Sequence, residues 1–184
     1  KQALLYGDWN IFEGQYFDEF DPEKHICEPF EIPSDWRRYR AIDYGLDMLA
    51  CYWIALDDRG RAYVYRELYR PDLIISQAAE LIKAMTPPEE KIYARMAPPD
   101  LWNRRQDSGK SGFEIMQSVP GMPPMRPADD RRIPGWRVVR EYLTDRDDGK
   151  PGILISWRCR ELIRCLPALL FDKNRSEDAS GEPH

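Results

Sequence analysis

The sequence predicts a mixed α/β protein, a central sheet with helices on both faces. Three observations predict it. Strand-like runs follow one another three times in the early chain, at 39–45, 50–57 and 61–69. From there, helical and strand-like spacings alternate as far as Pro167. The 184 residues are 42% hydrophobic and 32% charged, enough ordinary globular chain for one domain with a real core.

Residues 1–35 differ in pattern from the rest of the chain. Tyr6, Trp9, Phe12, Tyr16, Phe17 and Phe20 alternate with Asp8, Glu13, Asp18, Glu19, Asp21 and Glu23. Gly7 and Gly14 punctuate the segment, and Pro29 and Pro33 close it. Short extended pieces packed on a neighbouring domain suit this pattern, so 1–35 is expected to be a junction and 36–184 the folded domain.

The first strand is Tyr39-Arg40-Ala41-Ile42-Asp43-Tyr44-Gly45. The second and third are joined by Asp57-Asp58-Arg59-Gly60, which is hairpin chemistry. Pro71-Asp72 opens a helix on which Ile74, Ala78, Leu81, Ile82 and Met85 recur at helical spacing, and Pro87-Pro88 ends it. A strand follows at 91–96, then a polar loop from Ala97 to Gly112 and a short helix at 112–118. The stretch 119–128, rich in Pro and Met, is expected to hold one buried strand. Arg132 to Thr144 reads as a helix with Trp136, Val139, Tyr142 and Leu143 on one side. Gly149-Lys150-Pro151-Gly152 is a turn and Ile153-Leu154-Ile155-Ser156 a strand. Cys159, Leu162, Ile163 and Leu166 mark a last helix, expected to stop at Pro167, and a polar tail begins at Asp172.

Asp43 carries the chemistry. It ends a central strand, where a buried carboxylate persists if a metal ion or a cation compensates it. Asp100 follows closely on the 91–96 strand. If those two strands are neighbours, the two acids face one another, and close carboxylates need a cation between them. A pair of Mg²⁺ or Mn²⁺ ions about 4 Å apart would use them for phosphodiester chemistry. Hard cations prefer oxygen ligands, which fits aspartates. The alternative for Asp100 is a cap on the turn after Pro98-Pro99. Arg104, Arg105 and Lys110 sit in the adjoining loop, expected to be flexible, and are candidates to hold DNA. Glu67 points to the site or pairs with an arginine, the pair being favoured. Trp36-Arg37-Arg38-Tyr39-Arg40 reads as packing and solvated charge at least as much as a phosphate contact.

Several classes drop out. A net charge of −5 argues against a nucleic-acid coating protein, though not against an enzyme with one basic groove. Cys27, Cys51, Cys159 and Cys165 form no Cys-x-x-Cys pair, and His25 and His184 are not at zinc spacing from them, so free thiols in a reducing compartment are expected. No run is long enough to span a membrane and the first ten residues lack a signal-peptide core, so the expected location is cytoplasmic. Gly109-Lys110-Ser111 imitates the end of a phosphate-binding loop, but Arg104 stands where that motif needs glycine. Glu89-Glu90-Lys91 imitates a restriction-nuclease motif but precedes its strand.

Seven segments stand in one order along the chain: Gly7-Asp8-Trp9, Glu13 to Phe17, Trp36 to Gly45, Tyr63 to Glu67, Pro99 to Arg105, Asp130 to Trp136 and Leu162 to Pro167. Together, in this order and spacing, they resemble the C-terminal part of tailed-phage large terminase subunits. The resemblance covers nearly the whole chain. It implies an RNase H-like fold and a divalent-metal-dependent endonuclease that cuts concatemeric phage DNA during packaging. It implies Asp43 as the first-strand acid and Asp100 as the second, although the family pattern places that acid where this chain has Pro98. The family's third acid lies on a helix expected beyond His184, with Asp178 the nearest substitute within the chain. Residues 1–35 would lead out of an upstream ATPase domain. Double-stranded DNA, the terminase small subunit and the portal are the implied partners, and the infected host's cytoplasm the implied location. Two alternatives stay open: a non-catalytic DNA- or portal-docking module with the same fold, and an RNase H-like recombinase or resolvase.

Overall fold

The early strand runs form the middle of a wider sheet. In the computed structural model, which describes residues 14–45, 47–106, 108–175 and 177–180, β1 is Ile26–Cys27, β2 Arg37–Tyr44, β3 Met48–Leu56 and β4 Ala62–Pro71. Later come β5 (Ile92–Ala97), β6 (Arg126–Pro127) and β7 (Ile153–Ser156). Among the described residues they make one seven-stranded sheet in the order β1-β7-β4-β3-β2-β5-β6. β2, β3 and β4 form an antiparallel meander, β5 runs parallel to β2, and β7 runs parallel to β4. The helices are α1 (Pro22–His25), α2 (Ile75–Ala84), α3 (Gly112–Gln117), α4 (Arg132–Leu143) and α5 (Arg160–Ala168).

Strand periodicity explains why this sheet has two covered faces. Leu49, Cys51, Trp53 and Ala55 alternate along β3 and are buried. With Ile42 and Leu68, the first three pack on Ile75, Ala78, Ala79 and Ile82 of α2 and on Met116 of α3. On the opposite face, Val64 and Ile155 meet Ile163 and Leu166 of α5 and Leu143 of α4. Both thiols with no exposed surface, Cys51 and Cys159, are free, and burial pushes each up to about 12.

Four expectations change. From residue 14 the expected junction is woven into the fold: β1 pairs with β7, and Tyr16, Phe17 and Phe20 belong to the second core. The aromatics supply apolar area that α4 and α5 alone would leave open to water; Tyr6, Trp9 and Phe12 lie outside the described residues. The 119–128 stretch holds no buried strand but the two-residue exposed edge β6, with Val119, Met122 and Met125 buried singly. Pro167 lies inside α5, near its end. The described part of the polar tail folds back, burying Ala179 beside Tyr16 and Phe17 in the second core.

Candidate functional site

β2 and β5 lie side by side and run the same way, with Ala41 opposite Met96. Two residues further on, Asp43 comes level with Pro98, and Asp100 follows in a 3₁₀ turn, Pro99–Trp102. The register therefore brings Asp43 and the segment carrying Asp100 to one edge, at the carboxyl ends of adjacent parallel strands. That is where open α/β sheets place their ligands.

Asp43 departs from the expectation of a buried charge: it is exposed, as is Asp100. It lies on the face of β2 opposite Ile42, away from the first core. Neither carboxylate makes a side-chain hydrogen bond or ion pair among the described residues, so all four oxygens are free to take a ligand. Two hard oxygen donors fit Mg²⁺ or Mn²⁺ in kind, because such ions keep several waters and need only one or two carboxylates. No group of three or more His, Cys, Asp or Glu suited to a metal occurs among the described residues.

The 3₁₀ turn is held from beneath. Leu101 is buried and Trp102 stacks on Phe113, ring centroids 4.6 Å apart. Gly112 allows the approach: a Cβ there would stand 2.7 Å from Leu101 Cδ1 and 3.1 Å from Ile75 Cδ1. Gly112→Ala is therefore expected to cost about 1–3 kcal/mol in urea unfolding. It should also disturb the site, since Leu101 directly follows Asp100.

The two arms of the basic loop are tied together. Arg104 and Ser111 form an antiparallel bridge, the Arg105 N–H donates to the Lys110 carbonyl, and Gly109 turns the chain at φ +66°. Ser111 caps α3 and receives Glu114 in return, which is the local role of the Gly109-Lys110-Ser111 sequence. Arg104, Arg105 and Lys110 stay exposed. Among the described residues the Arg104 side chain has only a 3.9 Å ion pair with Glu114. Burial raises the pKa of the Tyr44 hydroxyl, and the positive charge of Arg105 opposes the rise.

Other acids are engaged elsewhere. Glu67 pairs with no arginine among the described residues. Its oxygens accept the N–H groups of Glu161 and Leu162 at 3.0 and 2.7 Å, capping α5, and burial raises its pKa. No signal in the sequence announces this cap, because the partners lie 94 and 95 residues away. Asp178 is 8% exposed, and its Oδ1 accepts from Arg132, Trp136 and the Ala179 N–H. Burial works against that charge, yet these donors hold the pKa down and tie Asp178 to α4 and to Ala179. Glu90, part of the imitated restriction-nuclease motif, anchors Tyr65 and Arg66. His25 is a buried structural histidine between Asp21 and the Leu143 carbonyl.

At the sequence level, no family model matches this chain and no curated protein does. The folds of solved structures do match. The large terminase of a thermophilic bacteriophage, in complex with ADP, superposes with a TM-score of 0.75 at 19% identity, over 95% of this chain and 42% of that one. The nuclease domain of the P22 large terminase matches at TM-score 0.67 and 18% identity, over 95% and 87%. The nuclease domain of the bacteriophage SPP1 large terminase, solved with bound Mn, matches at 0.61 and 14%, over 91% and 90%. This chain thus spans less than half of the thermophilic phage's terminase and nearly all of each nuclease domain. The likeness is one of fold: the mixed seven-stranded sheet with helices on both faces is the RNase H-like architecture of terminase nuclease domains.

Proposed function

We propose that this chain is the nuclease domain of a phage large terminase, a divalent-metal-dependent endodeoxyribonuclease that cuts concatemeric viral DNA during packaging. The observation that carries the reading is the pair of exposed carboxylates, Asp43 and Asp100, unengaged among the described residues and near the carboxyl ends of two adjacent parallel strands. It is joined to a fold shared with nuclease domains, one of which was solved with Mn. Asp43 and Asp100 would hold Mg²⁺ or Mn²⁺. The ion would supply positive charge at the scissile phosphate and acidify a water.

The chain's own residues do the rest. The two acids would hold the ion. Arg104, Arg105 and Lys110 would hold the phosphate backbone beside them, with little reading of sequence. Further acidic ligands, the small subunit, the portal and an upstream ATPase domain belong to the same reading. The test is relaxation of supercoiled plasmid by the purified chain with Mn²⁺, and its loss on chelation. DNA binding with no metal-dependent cutting would overturn the nuclease assignment and favour a docking module; strand transfer would indicate a recombinase.

The loop makes a separate prediction. Arg105→Ala and Lys110→Ala should each weaken DNA binding about equally on unrelated sequences, and each should lower the slope of log affinity against log salt by about one. Unchanged slopes would remove the loop from the interface.

A further inference from the structure

On the α2 face of the sheet, the strand register lines up four side chains in one row. Arg95 of β5 pairs with Arg40 of β2, Arg40 with Trp53 of β3, and Trp53 with Arg66 of β4. Arg38 stands two residues along β2 on the same face. Among the described residues one carboxylate serves this group. Glu90 Oε2 accepts from Arg66 at 2.7 Å, while Oε1 takes the Tyr65 hydroxyl and lies 3.9 Å from Arg38. Four guanidiniums, always charged at neutral pH, therefore stand with one acid among the described residues, and that acid pairs only with Arg66 and Arg38.

Arg40 is the extreme case. It is 1% exposed, and among the described residues its one hydrogen bond is a long one, Nη1 to Thr86 Oγ1 at 3.5 Å. That hydroxyl also accepts from Trp53 Nε1 at 3.1 Å. Arg40 Nε and Nη2, and Arg95 Nε, are buried without an acceptor among the described residues. Burial lowers both guanidinium pKa values, and Arg95 lowers that of Arg40 further. Unpaired buried donors on two like charges are costly, and the surrounding fold has kept them.

We infer that the Arg40–Arg95 pair is a binding site for a small tetrahedral oxyanion of the phosphate class. Guanidinium forks match such an anion with paired N–H donors, and one doubly charged ion answers both arginines at once. Arg95 is half-buried and gives the site an open side. A cleft of about 560 Å³ reaches the same cluster at Arg38, Tyr65, Arg66 and Glu90. The depth of Arg40 excludes a duplex backbone and admits a free ion or the terminal phosphate of a mononucleotide. Arg40 lies three residues before Asp43 and on the opposite face of β2, so the arginine pair is separate from the acidic edge and does not depend on the nuclease reading.

The test is calorimetric titration of the whole chain with inorganic phosphate, without divalent metal or DNA, at ionic strength held constant with chloride. Saturable binding at one site is expected. Arg95→Met should weaken it about 10–100-fold. Arg40→Met should abolish it while leaving the thermal midpoint in phosphate-free buffer unchanged or raised, as replacing a buried charge by an apolar chain of similar volume does. If Arg40→Met fails to fold, the half-buried Arg95→Met decides alone. AMP that competes with phosphate identifies a phosphomonoester ligand, and AMP that does not identifies the free ion; both outcomes support the pocket. Absence of saturable binding to either ligand, or undiminished binding in Arg95→Met, overturns it.

Discussion

Asp43→Asn is expected to abolish Mn²⁺-dependent nicking of supercoiled DNA while the protein stays folded. Asparagine keeps the size and one neutral oxygen of aspartate but removes the charge that a hard divalent ion needs. Changes in residues that merely orient metal ligands cost roughly 10–100-fold, so loss of a ligand should exceed that range. Stability should move by no more than about 0.5 kcal/mol, because Asp43 is exposed and its carboxylate touches no described partner. The two measurements together separate chemistry from unfolding. Nicking at the parental rate would remove Asp43 from the reaction. Asp100→Asn locates the second ligand: a comparable loss keeps Asp100, whereas a parental rate moves that role to another residue of the same edge.

Phe17→Ala should be the most destabilising single change outside the sheet. Phe17 is 0% exposed, with its ring centroid 5.0 Å from Tyr16 and 5.6 Å from Trp136, both edge-on. Truncating a buried phenylalanine costs about 3–5 kcal/mol, a large share of the roughly 5–15 kcal/mol that holds a domain. The thermal midpoint should fall by about 10 °C or more. Arg140 adds to the attachment, since it donates to the Tyr16 carbonyl and to Glu19 Oε1 at 3.2 Å and lies 4.9 Å over the Tyr16 ring. A chain trimmed to begin at residue 36 would lose β1, Tyr16, Phe17 and Phe20 together, and should not fold stably. A midpoint unmoved by Phe17→Ala would show that the segment packs there without supporting the core.

The regular elements were legible because their signals are local. The alternation in β3, the hairpin linker at Asp57 to Gly60 and the apolar spacing of α2 each operate within a few residues, and each element formed where its pattern lies. β6 was not legible, since two paired residues carry no periodicity. The integration of residues 14–27 was hidden for another reason. Alternating aromatics and acids say that a segment packs against something, not against what.

The acids divide in the same way. That Asp43 ends a strand, and that Asp100 follows one, are properties of the sequence. Which carboxylates remain free was settled by partners far away in the chain: Glu67 by the start of α5, Asp178 by Arg132 and Trp136, Glu90 by Tyr65 and Arg66. The row Arg95-Arg40-Trp53-Arg66 exists only once four strands have come into register. By itself the sequence determined the elements, their order and the mixed sheet, because backbone periodicity and turn chemistry act over short distances. Tertiary structure alone decided which charges are engaged and which stand unanswered, because electrostatic pairing depends on distance in space and on exclusion of water, and neither is written along the chain.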